Sequence, residues 1–440
     1  MDDDGEGALP FPLPPSRFPV YFRSVPTFQP IPDGSITSPR GFTGAAVAAG
    51  LKGQGEPDVA LLLSTMPCTA AGVFTQNRVR AAPVLYDEAL LKERPGRVRG
   101  VVMNAKVANA CTGDEGLKAA EAMARAAEQA LDLPARTMLV LSTGVIGVPL
   151  PLTKIETGIA RAAKRLGPDQ GTAVAKAIMT TDTVPKHLAV RVDTAAGPVT
   201  VGGIAKGAGM IHPNMATMLA LITTDAAVEV AQLQDVLRRV TDRTFNAITI
   251  DGDTSTNDTV LMLANGATEI AIRRDVEGWK AFEEAVSWVA RELALMIVRD
   301  GEGATRFVEL TVTGAPTEAM ARDIGRAIAR STLVKTAIAG GDPNWGRVLA
   351  AAGAAGFDID PARLALSVRA LPNGAAAPGA WLELARGGAT AGASDAAAKR
   401  AFAAPALALR LDLAMGGAEA TVWTCDLSED YVKINAHYRT

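Results

Sequence analysis

The sequence Lys206-Gly-Ala-Gly-Met-Ile-His-Pro-Asn-Met-Ala-Thr-Met-Leu219 joins a glycine-rich turn to an apolar run near the middle of the 440-residue chain. Gly207 and Gly209 permit a tight turn and a close approach to a ligand. Thr217 follows the small residue Ala216 and begins the apolar run. Its hydroxyl can attack the preceding carbonyl, and hydrolysis of the resulting ester would make Thr217 a new N-terminus. A free α-amine has a pKa of about 7.7–8.0, so it can act as the base for the adjacent hydroxyl.

The alternative is that Thr217 is an ordinary structural residue. A threonine after an alanine at the start of an apolar run is usually a member of a strand or helix. The Ala216–Thr217 pair alone favours this ordinary interpretation, so the choice depends on the rest of the chain.

The composition indicates a globular enzyme of two or three lobes. Hydrophobic residues make up 48% of the chain and charged residues 21%, and the formal net charge is −3. This balance provides no basic field for nucleic acid or an anionic membrane, and we expect neither as a partner. The three cysteines are scattered without a CxxC spacing, which is typical of a reducing compartment and predicts no metal cluster.

The N-terminal segment, residues 1–35, contains eight prolines and little periodicity. Its acidic start is the opposite of a basic secretory signal. We therefore expect a flexible Pro-rich N-terminal extension over residues 1–35 and a cytoplasmic enzyme.

From residue 36 onward, short apolar runs alternate with amphipathic stretches, as in an α/β protein. Strands are predicted at residues 59–64, 100–103, 137–142, 188–192 and 307–312. Helices are predicted at residues 117–131, 153–166, 230–245, 276–297 and 317–330. The Ala- and Gly-rich residues 373–393 are expected to form loops.

Eight further blocks share the order of one enzyme family. They are Ser38-Pro-Arg-Gly-Phe42, Ala71-Gly-Val-Phe-Thr-Gln-Asn77, Ala81-Ala-Pro-Val-Leu85, Ser142-Thr-Gly-Val-Ile-Gly147, Met179-Thr-Thr-Asp182, Asp251-Gly-Asp-Thr-Ser-Thr-Asn-Asp258, Gly341-Asp-Pro-Asn-Trp-Gly-Arg347 and Tyr431-Val-Lys-Ile-Asn435. With the central stretch, they closely resemble the ornithine acetyltransferase family, the glutamate N-acetyltransferases of arginine biosynthesis. Such collinear coverage is more specific than any single motif.

The resemblance implies an α/β fold with two lobes of mixed sheet and helix and the active site between them. It also implies self-cleavage between Ala216 and Thr217. The products would be an α-chain of residues 1–216, whose residues 36–216 follow the extension, and a β-chain of residues 217–440, folded together in an α2β2 heterotetramer.

The implied reaction moves an acetyl group from N2-acetyl-L-ornithine to L-glutamate through an ester on Thr217, in a ping-pong cycle without a cofactor. Some members of the family also use acetyl-CoA, and the sequence does not separate the two types. Thr143 and Gly144 match the family's oxyanion hole. The matching substrate-binding positions are Thr180, Lys206, Thr217, Glu302, Asn435 and Thr440.

The residue types suit these roles, although each has an ordinary alternative. A turn after a strand, as at Thr143 and Gly144, can expose N–H groups to an oxyanion. The compact ammonium of Lys206 suits a substrate carboxylate, and the carboxylate of Glu302 suits an amine. Taken singly, Thr143 could belong to a plain strand end and Lys206 could be a solvated surface residue.

The acidic motif from Asp251 to Asp258 resembles the start of a calcium loop. Met262 occupies the position at which such a loop needs a bidentate glutamate, so the template fails. A turn network of side-chain-to-backbone hydrogen bonds is the better prediction. His212 could assist Thr217, but a loop histidine satisfied by backbone is the favoured interpretation.

The C-terminal block and two unusual residues bear on the substrate. The alternation from Tyr431 to Asn435 predicts a strand that would anchor the chain end, with Asn435 and Thr440 against the substrate. The family usually has a glycine where this chain has Lys106 and an acidic residue where it has His437. If either lines the cleft, the acceptor preference would change.

Two other functions are open. One is an N-terminal-nucleophile aminopeptidase or amidase that uses water as acceptor. The other is a silent paralogue whose site has decayed at Lys106 and His437. The complete set of matching site residues argues against a silent paralogue. A comparison of ornithine release with and without glutamate would distinguish the amidase from the acetyltransferase.

Overall fold

A computed structural model describes residues 28–53, 55–212, 218–274, 277–371 and 379–437. Within these ranges the strands are β1 Phe28–Ile31, β2 Phe42–Val47, β3 Val59–Phe74, β4 Val98–Asn104, β5 Met138–Ser142, β6 Lys186–Thr194, β7 Gly197–Lys206, β8 Leu219–Thr224, β9 Ile248–Thr249, β10 Thr259–Ala264, β11 Phe307–Ala315, β12 Ala365–Ala370, β13 Leu382–Arg386, β14 Ala389–Thr390, β15 Ala406–Asp412 and β16 Ala418–Cys425. The helices are α1 Ala82–Glu93, α2 Gly113–Ala130, α3 Leu152–Ala163, α4 Gly171–Ala177, α5 Val230–Arg243, α6 Trp279–Arg299, α7 Glu318–Ala329, α8 Thr332–Ala339, α9 Trp345–Gly353, α10 Asp395–Phe402 and α11 Glu429–Ala436. None of these helices combines the length and the hydropathy that a membrane span needs.

The first sheet has the order β1-β6-β7-β8-β10-β3-β4-β5, and β2 pairs with β3. The first four residues of its strand β8, Leu219 to Ile222, are all apolar because both faces of this strand are buried. Leu219 and Leu221 pack into the core that α1–α4 cover, whereas Ala220 and Ile222 pack with α5 and α6. The parallel register of β8 with β10 pairs Leu219 with Thr259, so the two strands begin side by side.

The second sheet has the order β14-β13-β12-β15-β11-β16-β9. Helices α7, α9 and α10 contribute to the core on one of its faces. At its β16–β9 end, Trp423 and Cys425 join the core around α6, which connects this lobe to the first sheet. The prediction of a two-lobed, mixed α/β fold is therefore confirmed.

Apart from the strand predicted at Tyr431–Asn435, the predicted strands and helices are present, with shifted ends. The five predicted strands correspond to β3, β4, β5, β6 and β11, and the five predicted helices to α2, α3, α5, α6 and α7. The largest difference in length is in β3, which extends to Phe74.

The N-terminal prediction is wrong for residues 28–35. Phe28–Ile31 pairs with β6 as an edge strand, and the Phe28 ring lies 5.5 Å from that of Trp288. Pro30 is compatible with this strand because an edge position does not require its missing N–H. Residues 1–27 of the predicted extension lie outside the described residues.

Two C-terminal predictions are also wrong. Within residues 373–393, which were expected to form loops, Leu382–Arg386 pairs with β12 and buries Leu384. The block from Tyr431 to Asn435 is helical instead of extended. Ser428 caps α11 by accepting the Asp430 N–H, and a five-residue alternation is too short to outweigh such a helix start.

Candidate active site

A cleft of about 240 Å³ lies where β7 ends and β8 and β10 begin. Its lining includes six residues that the sequence analysis singled out, namely Thr143, Gly144, Thr180, Lys206, Glu302 and Asn435. Ala216, Thr217 and Thr440 lie outside the described residues. On the two sides of residues 213–217, Gly209, Met210, Met218 and Leu219 line the same cleft.

Thr143 and Gly144 form a turn directly after β5. The Thr143 N–H donates to the Asn104 carbonyl at 3.1 Å. Gly144 has φ +131°, and a Cβ there would lie 2.1 Å from the carbonyl carbon of Lys106, so a larger side chain is excluded. The Lys106 carbonyl oxygen accepts the Val145 N–H at 3.0 Å and holds the turn in place. The turn thus brings a hydroxyl and a backbone amide to the cleft wall.

Lys206 ends β7 and is only 4% exposed. Burial lowers the pKa of its ammonium, while the carboxylates of Asp182 and Glu302 act in the opposite direction. No carboxylate in the described part of the chain lies within ion-pair distance of its Nζ. A buried ammonium beside a cleft, with no close carboxylate among the described residues, is suited to bind the carboxylate of a ligand.

Glu302 follows α6 and faces the same cleft. Its Oε2 accepts a hydrogen bond from Asn435 Nδ2 at 2.8 Å, and its N–H donates to the Ala208 carbonyl at 2.8 Å. A Cβ at Gly209 would lie 2.2 Å from Glu302 Oε2, so the glycine is required by close packing against the carboxylate. The arrangement provides an oriented anion for an amine.

A buried ion cluster supports both charged residues. Lys186 Nζ lies 2.7 Å from Asp182 and 2.5 Å from Asp300. Asp182 also accepts the N–H groups of Gly207, at 2.6 Å, and Thr180, at 3.0 Å. Burial opposes ionisation, but the ammonium groups around it hold the pKa of Asp182 well below its usual range. The sequence analysis missed this cluster, which fixes Thr180, the turn after β7 and the end of α6.

The motif from Asp251 to Asp258 forms the predicted turn network. Asp251 accepts the N–H groups of Met210 and of Ile211, the latter at 2.8 Å, and the Tyr431 hydroxyl donates to it at 3.2 Å. These donors occupy the carboxylate. The part of the chain that the structure describes holds no group of three or more His, Cys, Asp or Glu side chains suited to a metal ion.

The end of this motif contributes two cleft residues that the sequence analysis did not identify. Asn257 Nδ2 donates to the carbonyls of Ala108, at 2.6 Å, and Ser142, at 2.9 Å, and so ties the loop to the turn after β5. Asp258 is fully buried, and its Oδ1 accepts the Met218 N–H at 2.8 Å. The one sequence feature that could have identified Asp258 is its position as an acidic residue directly before the buried strand β10.

His212 is held by side chains, so the prediction of backbone partners is wrong. Its Nδ1 lies 3.2 Å from Thr249 Oγ1, and its Nε2 lies 3.4 Å from Arg326 Nη2. Since the Thr249 hydroxyl donates to the Ile211 carbonyl, Nδ1 carries the proton and Nε2 accepts from the guanidinium. Burial and the nearby arginines lower the pKa of His212 to about 4. Both ring nitrogens are therefore engaged away from proton transfer.

Lys106 and His437 do not belong to the cleft lining. Lys106 has φ +74° and an exposed side chain, so it adopts the left-handed conformation that favours glycine. Its contact with the site is made by its backbone. The sequence analysis predicted an altered acceptor preference if either residue lined the cleft. Neither side chain does, so this arrangement gives that prediction no support.

Known proteins match this chain along nearly its whole length. The ArgJ family model matches residues 43–440. The arginine biosynthesis bifunctional protein ArgJ of Symbiobacterium thermophilum is 48% identical over 413 residues, which cover 92% of this chain and 99% of the relative. The protein of that name from Thermotoga neapolitana is 46% identical, covering 91% of this chain and 99% of the relative. A crystal structure of ornithine acetyltransferase complexed with ornithine, from Mycobacterium tuberculosis, is 39% identical over 43% of this chain and 99% of that chain, with a TM-score of 0.40.

The family model and the two relatives of 48% and 46% identity define an acyltransferase of arginine biosynthesis that acts by acetyl transfer. The chain belongs to the ArgJ family.

Proposed function

We propose that the chain transfers the acetyl group of N2-acetyl-L-ornithine to L-glutamate through an ester on Thr217, after cleaving itself between Ala216 and Thr217. The observation that carries this proposal is the convergence of the six predicted residues on one cleft, which also contains the residues flanking 213–217. The names of the relatives support the same pathway.

In the proposed maturation, the Thr217 hydroxyl attacks the Ala216 carbonyl, the peptide C–N bond breaks and an ester forms. Water then cleaves the ester, which leaves the Ala216 carboxylate and a free Thr217 amine. That amine has an ordinary pKa of about 7.7–8.0 and takes the proton of its own hydroxyl in the mature enzyme.

In the transfer cycle, Thr217 Oγ1 attacks the acetyl carbon and the oxyanion is stabilised by the Thr143 hydroxyl and the Gly144 N–H. The amide bond breaks, the departing amine receives the proton, and ornithine leaves. Lys206 binds the substrate carboxylate and Glu302, oriented by Asn435, binds an ammonium. The amine of glutamate then attacks the ester, N-acetylglutamate forms and the Thr217 hydroxyl is restored.

Thr180 and the C-terminal Thr440 complete the proposed substrate site. We assign the enzyme no cofactor, and we include acetyl-CoA as a second acetyl donor because the relatives are named bifunctional. The α- and β-chains assemble as an α2β2 heterotetramer in the cytoplasm under the same proposal.

Steady-state kinetics test the reaction. A covalent acetyl-enzyme predicts parallel double-reciprocal lines for N-acetylornithine and glutamate, and intersecting lines would contradict it. Ornithine release that continues unchanged without glutamate would favour the amidase, which the comparisons do not support.

A further inference from the structure

The two carboxyl oxygens of Asp258 have different surroundings, and its position in a loop does not explain the difference. Its Oδ1 accepts the Met218 N–H at 2.8 Å, while its Oδ2 is buried and has no hydrogen-bond donor directed at it within the described residues. The Thr75 hydroxyl lies near the carboxyl group but donates to the Ser255 carbonyl at 2.8 Å. The side chain is fully buried and belongs to the cleft lining. An unpaired buried carboxyl oxygen is costly, so its retention beside a cleft indicates a partner during function.

The register of the sheet fixes this carboxyl next to Met218. β8 and β10 are parallel, with Leu219 paired to Thr259, so Met218 and Asp258 are neighbours at the strand starts. Met218 directly follows Thr217 in the sequence. The Oδ1 contact therefore holds Asp258 at the residue that directly follows the proposed nucleophile in the sequence.

Self-cleavage needs a group that accepts the proton of the Thr217 hydroxyl, and the free α-amine that does this in the mature enzyme does not yet exist. Before cleavage, the Thr217 nitrogen is part of a peptide bond and cannot act as a base. Another group must take the hydroxyl proton, since a free hydroxyl is a weak nucleophile. His212 is engaged at both ring nitrogens and Glu302 accepts from Asn435.

We propose that Asp258 is the proton carrier for self-cleavage, an inference that rests on the proposed function. As Thr217 Oγ1 bonds to the Ala216 carbonyl carbon, its proton passes to Asp258 Oδ2. The same proton then passes to the Thr217 nitrogen as the C–N bond breaks, so the carboxylate is regenerated and no other reactant is needed. Water hydrolyses the ester in the following step.

The electrostatic environment suits this role. Burial raises the pKa of Asp258 well above its usual range, although the Met218 N–H and the charge of Lys206 oppose the shift. A carboxylate of raised pKa is a stronger proton acceptor than an exposed one.

The test follows the full-length chain during cell-free synthesis and resolves the products by denaturing electrophoresis. The variants are Asp258→Asn, which keeps the shape and the acceptor for Met218 but cannot carry the proton, and Asp258→Glu, which keeps the carboxylate. Asp253→Asn, at an exposed position in the same loop, is the matched control.

We expect Asp258→Asn to slow cleavage at least 100-fold, which is the order of magnitude for loss of a general base. Asp253→Asn should cleave at the wild-type rate, and Asp258→Glu should recover measurable cleavage. Cleavage of Asp258→Asn at the wild-type rate would overturn the inference, as would an equal failure of the Asn and Glu variants, which would assign a packing role. An uncut wild-type chain would instead contradict the proposed function.

Discussion

Gly209 shows how closely the cleft is built around a single carboxylate. A Cβ at this position would lie within 2.2–2.6 Å of three atoms of the Glu302 carboxyl group. Contacts of that length do not occur, so the added atom would displace Glu302 from Asn435 and from the cleft. The glycine is thus required by packing against a functional group.

The first prediction follows from this contact. Gly209→Ala should raise KM for N-acetylornithine on the order of 10-fold, since the oriented anion for the substrate ammonium is displaced. Gly96→Ala is the control, because a Cβ at Gly96 would meet no atom within 4 Å. An unchanged KM in the Gly209 variant would remove Glu302 from substrate binding.

Thr143 supplies the second prediction. Thr143→Ala should lower kcat on the order of 10²–10³-fold, because one hydrogen-bond donor to the oxyanion is lost. Thr143→Ser should recover most of the rate, and Thr157→Ala on the exposed surface of α3 should have no effect. A Thr143→Ala enzyme with normal kcat would show that the hydroxyl does not stabilise the oxyanion.

Some site residues could be read from the sequence and others could not. Thr143, Gly144 and Lys206 lie in short local motifs that resemble those of the family, and this resemblance identified them where the local pattern alone favours ordinary structural roles. Lys186 and Asp300 are 114 positions apart and meet only through packing. The free oxygen of Asp258 depends on burial, which no local pattern contains.

Helix α11 carries two contacts to the site from one face. Tyr431 reaches Asp251 and Asn435 reaches Glu302, four positions further along. The predicted strand would also have placed these two side chains on one face, although the element itself is a helix. Ser428 and the acidic first turn, Glu429 and Asp430, were the missed signals.

Removing the end of this helix gives the third prediction. Deletion of residues 436–440 should leave self-cleavage normal, because Thr217 is intact, but should abolish most acetyl transfer through the loss of an oriented Asn435 and of Thr440. Lys433→Ala, which removes an exposed ion pair with Asp430, should be nearly neutral. Full transfer activity in the truncated enzyme would exclude the C-terminus from the site.

His212 connects the loop before residue 213 to α7 of the second lobe, and it gives the fourth prediction. Its folded-state pKa of about 4 lies below the ordinary value of 6.5. The unfolded chain therefore binds more protons between these values, and stability falls as the pH drops through this window.

The expected loss is roughly 1–2 kcal/mol of unfolding free energy between pH 7.5 and pH 5. His212→Asn should remove that part of the pH dependence, which urea unfolding at both pH values would measure. An identical pH dependence in the variant and the wild type would contradict the assignment of a neutral, buried imidazole.

The two proposed chains are interleaved in one sheet. β8 would begin the β-chain, and it is hydrogen-bonded on one side to β7 of the α-chain and on the other to β10. A cut at residue 216 leaves both ladders intact, so the products should remain folded together. β10 in turn pairs with β3 of the α-chain, which adds a second crossing between them.

The strand order of this sheet could not be predicted from the sequence pattern. The apolar runs predicted five of the strands, because burial gives near-continuous hydrophobic stretches. The same stretches carry no record of strand order or direction. The parallel neighbours β8 and β10 are separated by α5 and β9, and their pairing depends on contacts between residues about 40 positions apart.

Intact-mass analysis of the purified protein tests the central claim, that Thr217 becomes an N-terminal nucleophile, most directly. The wild type should give two species, residues 1–216 and 217–440, that separate only on denaturation. Thr217→Ala should give a single chain of 45.5 kDa. A correctly folded wild-type protein that also appears as one uncut chain would contradict the account.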